Sequence, residues 1–270
     1  MKLTASISAL LLTAAPVFAQ NYGPLEDALT HRVITGWTQA DGSHVAAIEL
    51  DLAEGWKTYW RSPGDAGIPP NFDWSRTKNA QNIRVQWPTP IVFWESGMRS
   101  VGYKTRVVIP VVVTPKKTGQ EIQLKGRMDL GLCSDICVPV QIKLDETLPA
   151  GTTDTRSSSI VAALAALPFS QSEAGVKNVR CSFEPGENGT LSISAQITMP
   201  SAGGEEQSII EAHQPSIWVS EPKTSRSGDT LDVSAKMVGA TSDPLVIDRS
   251  RLRFTVIGSS YAVDILGCSS

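Results

Sequence analysis

The sequence lacks any apolar run long enough to cross a bilayer as a helix. The longest, at residues 7–15, is about half of the roughly 20 residues a span needs. No transmembrane segment is therefore expected. A basic excess is also missing. Lys and Arg number 24 against 27 Asp and Glu, a formal charge of −3, which argues against a nucleic-acid binder. Histidine is scarce, with only three, at His31, His44 and His213. They are scattered and leave little for an imidazole-based metal site. Four cysteines are too few for a disulfide-dense mini-scaffold. There is no Gly-x-Ser-x-Gly elbow, no phosphate-binding glycine loop and no His-Glu-x-x-His. No cofactor and no metal are expected. Charged residues make up 19% and hydrophobic ones 41%, the balance of a globular chain rather than a disordered one.

What is present begins with an address. Lys2, the apolar run at 7–15 and the small-x-small triplet Val17-Phe18-Ala19 read as a signal peptide over residues 1–19. Export leads to an oxidising compartment, where cysteines can pair. From 32 to 143 the pattern is that of strands. Residues 45–52 have β character, 83–87 alternate strictly, and 121–125 and 138–144 read as further strands. Residues 106–113 are β-branched and nearly continuous, as in a strand buried on both faces. Turn pairs such as Asp41-Gly42, Pro63-Gly64 and Thr118-Gly119 separate the runs. Residues 149–159 are rich in Thr, Ser and Gly, and 160–167 read as a short helix stopped by Pro168. Alternation resumes at 191–197, 231–235, 252–256 and 261–266. The expected fold is all-β. Two β-sandwich domains, at 20–150 and 170–270, are joined by a linker at 151–169 with one short helix.

The sharpest chemical signal is Cys133-Ser134-Asp135-Ile136-Cys137-Val138-Pro139. Two cysteines this close can bridge if the backbone turns. So short a loop gives little chain-entropy stabilisation. The bridge is then a poor staple and suits a redox switch. A local structural disulfide is the plain alternative, and Cu(I) capture with Met98 or Met128 is a third. Asp135 disfavours a thiolate, whereas Arg127 or Lys125 would favour one if near. Cys181 and Cys268 lie at the two ends of the second domain. A bridge between them would close a long loop and is read as structural, although four cysteines allow three pairings. Six of the seven tryptophans fall in the first domain, and aromatics in β domains are usually core. The stretch Phe93-Trp94-Glu95-Ser96-Gly97-Met98 differs. It puts bulky apolar residues on a glycine-bearing loop, where they need a surface to cover.

These strings resemble a known family when taken together. They are Gly55-Trp56-Lys57-Thr58-Tyr59-Trp60-Arg61-Ser62-Pro63-Gly64-Asp65-Ala66-Gly67-Ile68-Pro69-Pro70, Phe72-Asp73-Trp74-Ser75, Trp87-Pro88-x-Pro90, Gly102-Tyr103 and Cys133-x-x-x-Cys137-Val138-Pro139. The likeness is to the N-terminal periplasmic domain of the DsbD/ScsB thiol–disulfide reductases. It is closer to the ScsB-like branch, which is linked to copper tolerance. It covers the first domain, and the second is similar in layout only. The resemblance implies immunoglobulin-like sandwiches and a catalytic pair, Cys133 and Cys137. In the family such a pair takes electrons from a membrane-embedded thiol reductant (DsbD- or CcdA-like) and passes them to periplasmic thioredoxin-like proteins. Cys137 would engage the partner and Cys133 would resolve. A cap loop would lie at Phe93, Trp94 and Glu95, with Phe93 or Trp94 as the cap. Tyr59 and Tyr103 would surround the pair.

Two departures stand out. The cysteines are closer together than in DsbD, and no membrane or thioredoxin-like domain is seen in this chain. A separate reductant is therefore expected. The leading expectation is a periplasmic thiol–disulfide exchange module. Its rivals are a non-enzymatic envelope binding module with structural disulfides and a Cu(I)-handling protein.

Overall fold

β-Branched and apolar residues alternate with polar ones along much of the chain, and most such runs are strands in the computed structural model. It describes residues 25–270 except 96, 152–155, 215, 242 and 244. The signal peptide read at 1–19 lies outside the described residues. A single helical turn, α1 (Leu25–Ala28), leads into β1 (Leu29–Thr38), β2 (His44–Leu52), β3 (Lys57–Gly64), β4 (Asn71–Asp73) and β5 (Ala80–Val85). Then come β6 (Ile91–Glu95), β7 (Met98–Lys104), β8 (Arg106–Pro115), β9 (Ile122–Cys133) and β10 (Cys137–Leu148). One sheet has the order β1-β2-β8-β5. The facing sheet has the order β10-β9-β3-β7-β6, with β4 also paired to β9.

Strand periodicity decides what fills the space between the sheets, because successive side chains point to opposite faces. Ile48 and Leu50 of β2, Ile109 and Val111 of β8, Trp60 of β3, and Leu130 and Leu132 of β9 meet there. The alternate residues of β2 and β8 are buried as well. Val45, Ala47 and Val112, with Trp37 of β1, are covered by Ile160 of α2 (Ser158–Ala165). That cover explains why 106–113 lacks a polar face. The helix starts two residues before the run at 160–167 and lies against the first sheet. The carbonyl of Ala166, just after it, accepts a hydrogen bond from the Thr89 amide at 2.7 Å.

Beyond this helix the cover gives way to ion pairing. Glu49 accepts from Arg32 at 2.8 Å and from Arg106 at 2.5 Å. The Arg32 hydrogen bond, with that of Arg106, holds the Glu49 carboxyl below its ordinary value. A carboxyl depressed on folding stabilises above its unfolded pKa of about 4.3 and loses that contribution as pH falls through the folded value. Glu49→Gln is expected to lower unfolding free energy by about 1 kcal/mol at pH 7, since the side chains of Arg32 and Arg106 are 65% and 49% exposed. The difference from the parent should shrink as pH falls below the ordinary carboxylate value of about 4.3. Urea titrations at neutral pH and below that value check it.

The second half folds as β11 (Phe169–Ser170), β12 (Asn178–Pro185), β13 (Leu191–Thr198), β14 (Gln207–Glu211) and β15 (Ile217–Val219). These are followed by β16 (Lys223–Ser227), β17 (Thr230–Gly239), β18 (Arg253–Ile257) and β19 (Ala262–Leu266). Its sheets run β11-β19-β18-β14 and β12-β13-β17-β15, with β16 on β17. Phe254, Ile197, Leu231 and Val263 are among the residues of its core. The Cys181–Cys268 disulfide ties β12 to the segment leaving β19.

The two sandwiches touch. Ile209 of β14 joins the core of the first. The Arg61 guanidinium on β3 forks the Glu211 carboxylate, Nε at 3.1 Å and Nη2 at 2.9 Å, and Nη2 lies 3.5 Å from Asp264. Arg99 on β7, almost wholly buried, donates to the Ser208 carbonyl at 3.0 Å.

Candidate functional site

β9 and β10 form a hairpin whose register sets Cys133 directly opposite Cys137, with residues 134–136 as the turn. The Ser134 amide donates to the Ile136 carbonyl at 3.1 Å and closes that turn. The Cα atoms of the cysteines are 4.1 Å apart and a disulfide joins them. Met128, Leu130 and Leu132 point inward, so Cys133 falls on the outer face with Gly131. It is nonetheless 0% exposed, whereas Cys137 is open to solvent.

The cover over Cys133 comes from β3. Lys57 pairs with Cys133 across the sheet, and Tyr59 follows two residues later on the same face. The Tyr59 hydroxyl donates to Cys133 Sγ at 3.0 Å and lies 3.3 Å from Cys137 Sγ. Bridged sulfurs carry no hydrogen, so the phenol is the donor, and its one hydrogen is aimed at Cys133 with Cys137 within reach. Its ring sits between two glycines. A Cβ on Gly67 would come within 2.5 Å of the ring, and one on Gly131 within 3.0 Å of it and 2.8 Å of Ile68. Burial, then the Glu95 charge, pushes the Tyr59 pKa up, so the phenol stays protonated and able to donate.

Lys57 is also sheltered, its side chain 7% exposed. Its ammonium donates to the Ser134 carbonyl at 3.0 Å and pairs with Glu95. That ion pair reports the shape of the β6–β7 hairpin. Lys57 is level with Lys104 on β7, while Glu95 is level with Met98, six residues away. In a straight strand six residues span about 20 Å. The hairpin must therefore curl over the outer face to bring Glu95 to Lys57. The same curl sets Phe93 under Lys104, whose ammonium lies 4.7 Å from the ring centre.

The residues singled out in the sequence separate on this face. Tyr59 touches both sulfurs, and Glu95 arrives through Lys57. Phe93 is buried under Lys104, while Trp94, on the opposite side of β6, is 50% exposed. Residues 93–98 are thus mostly a strand hairpin rather than a loop. Tyr103 turns inward, joins the core and donates to the Pro88 carbonyl at 2.7 Å. Burial raises its pKa well above the ordinary tyrosine value. Met128 lies in the core, so that thioether faces away from the cysteines. Arg127 pairs with Asp73 and Lys125 with Asp145, further down the hairpin. The cations at the level of the pair are Lys57 and Lys104, which the sequence reading passed over. The signal for Lys57 was the alternation of Lys57, Tyr59 and Arg61 with Trp56, Thr58 and Trp60, which marks a strand with one polar face.

Residues 28–149 match the family model of the N-terminal domain of the thiol:disulfide interchange protein DsbD. No curated protein matches the chain. Among solved structures, the crystal structure of the N-terminal periplasmic domain of ScsB from Proteus mirabilis is similar, with a TM-score of 0.70 and 22% identity. The match covers 92% of this chain and 96% of that one. The likeness is one of fold, all-β and immunoglobulin-like, and it extends over both sandwiches.

Proposed function

We propose, from a first sandwich that belongs to the DsbD N-terminal domain family, that this protein is a periplasmic thiol–disulfide exchange module. Its redox centre is Cys133–Cys137. It takes electrons from a membrane-embedded thiol reductant and hands them to thioredoxin-like envelope proteins. Among the described residues no helix is long and apolar enough to cross a membrane. One observation carries the reading: an exposed Cys137 is bridged to a buried Cys133, with one phenol hydrogen-bonded to Cys133 and within reach of Cys137.

The chemistry follows from that asymmetry. An incoming thiolate attacks the sulfur it can reach, Cys137 Sγ. A new S–S bond forms to the partner, the old one breaks, and its electron pair leaves on Cys133 Sγ. The Tyr59 hydroxyl is already aimed at that sulfur. In the reverse direction the Cys133 thiolate attacks Cys137 in the mixed disulfide and expels the partner's thiolate. The β6–β7 hairpin, through Phe93 and Glu95, serves as a cap over the Cys133 side, and the open side is left for docking. Cys181–Cys268 is the structural bridge.

The test is the reduction potential of each bridge, read by equilibration in graded thiol buffers, alkylation and peptide mapping. Cys133–Cys137 is expected between about −270 and −120 mV, where exchange proteins lie, with Cys181–Cys268 still oxidised. A Cys133–Cys137 pair that stays oxidised beyond about −300 mV would make it structural and sink the proposal.

A further inference from the structure

We propose that Lys57 is the counter-ion of the thiolate that exchange leaves on Cys133, and that it takes up this role by letting go of Glu95. The inference rests on the exchange reading above and adds a group to it. Four residues stand in one row across four strands: Lys104 on β7, Lys57 on β3, Cys133 on β9 and Cys137 on β10. Side chains directly opposite on neighbouring strands have Cβ atoms about 4.5–5.5 Å apart. A flexible ammonium stem at Lys57 therefore reaches the sulfur of Cys133 without any backbone shift.

The need for a cation comes from burial. When a partner thiolate bonds to Cys137 Sγ, the displaced electron pair resides on Cys133 Sγ, which is closed off from water. An anion left there without a partner is costly. Tyr59 can donate one hydrogen bond but carries no charge. The charged and titratable groups facing the pair are Lys57 and Tyr59 on β3, Glu95 on β6, Lys104 on β7 and Asp135 in the turn. Glu95 and Asp135 oppose a thiolate. Lys104 is occupied by the Phe93 ring. Lys57 is the ammonium next to Cys133 in the row. In the disulfide state it is held by Glu95 and by the Ser134 carbonyl, one residue from Cys133. A new anion on Cys133 competes with Glu95 for the same ammonium. The exchange thus loosens one of the contacts that curl the β6–β7 hairpin over the face.

The balance is simple. The partner thiolate and the Cys133–Cys137 disulfide become a partner–Cys137 disulfide and a Cys133 thiolate. The charge moves from partner to Cys133 and no proton is required while Lys57 neutralises it. A thiol held as thiolate also leaves faster, since a lower leaving-group pKa favours exchange.

The experiment titrates Cys133 by its ultraviolet thiolate absorbance in a Cys137→Ser background, where Cys181–Cys268 remains bridged. Lys57→Met is expected to raise the Cys133 pKa by about one unit, tenfold less thiolate at a given pH. Lys57→Arg should return most of it, and Glu95→Gln should shift it down. If Lys57→Met does not fold, Lys57→Gln replaces it and keeps a donor for the Ser134 carbonyl. Coincident titrations of the parent and the uncharged variant would overturn the proposal, as would an upward shift in Glu95→Gln. The titration needs no partner, so the two readings fail separately. A shifted Cys133 in a chain that does not exchange with thioredoxin-like proteins refutes the function but supports the counter-ion. Normal exchange with an unshifted Cys133 does the reverse.

Discussion

Cys133→Ser is expected to accumulate a mixed disulfide with a thioredoxin-like protein, and Cys137→Ser to accumulate almost none. The difference should be at least tenfold in trapped complex, because it rests on access rather than on degree of activation. Cys137 begins β10 just after the turn and is exposed, and Cys133 is closed over by Tyr59 and Lys57. In Cys133→Ser the exposed thiol can still bond to a partner, and nothing remains in the chain to resolve the product. In Cys137→Ser the surviving thiol lies where a partner's sulfur cannot approach in line. Non-reducing electrophoresis and mass spectrometry measure the yields, each reduced variant being mixed with a thioredoxin-like protein that lacks its resolving cysteine and carries thionitrobenzoate on the other, so that each new mixed disulfide releases one thionitrobenzoate. Equal yields would mean that the partner reaches both sulfurs, and the division of roles would fall.

Arg61→Met is expected to cost about 3 kcal/mol of stability, the low end for breaking a buried ion pair from one side. The side chains of Arg61 and Glu211 are 15% and 12% exposed, so the abandoned carboxylate gains little from water. Three other contacts go with it. Arg61 lies 3.9 Å over the Trp60 ring, donates to Thr255 at 3.3 Å and sits beside Asp264. Lysine is a poor substitute, because the two-pronged fork on Glu211 needs a planar guanidinium. Denaturant unfolding of the full chain gives the number. Uncoupling of the sandwiches would also show as a second transition. A loss under about 1 kcal/mol would place the fork with ordinary surface pairs.

Much of the fold could be read from the sequence because it rests on burial. The run at 106–113 becomes β8, apolar on both sides, and 191–197 and 231–235 become the paired strands β13 and β17. The strands that build the site were harder to read. In β3 the wide aromatics and the Pro63-Gly64 step obscure a two-residue alternation. β6 and β7 are short and meet at a glycine. The two cysteines were legible since they are close in the chain. Lys57 was not, since it meets Ser134 across 77 residues of sequence, and only strand register puts them together. Nearness in sequence misled in the same way for Arg127, Lys125 and Met128. Their distance along β9, or their parity, takes them away from the sulfurs. Parity also separates Phe93 from Trp94, which the string alone presents as equivalent.

The family match stops at residue 149, but the first sandwich does not. Ile160 of α2 is fully buried against Trp37, Val45, Ala47 and Val112, all of which lie inside the matched stretch. Removing everything after β10 would leave an aliphatic and indole strip bare on the back of the sheet opposite the cysteines. Strips of that kind recruit other molecules and aggregate. The portable unit, the smallest piece that could be moved into another protein and stay monodisperse, is therefore longer than its matched segment and carries its own lid of helix.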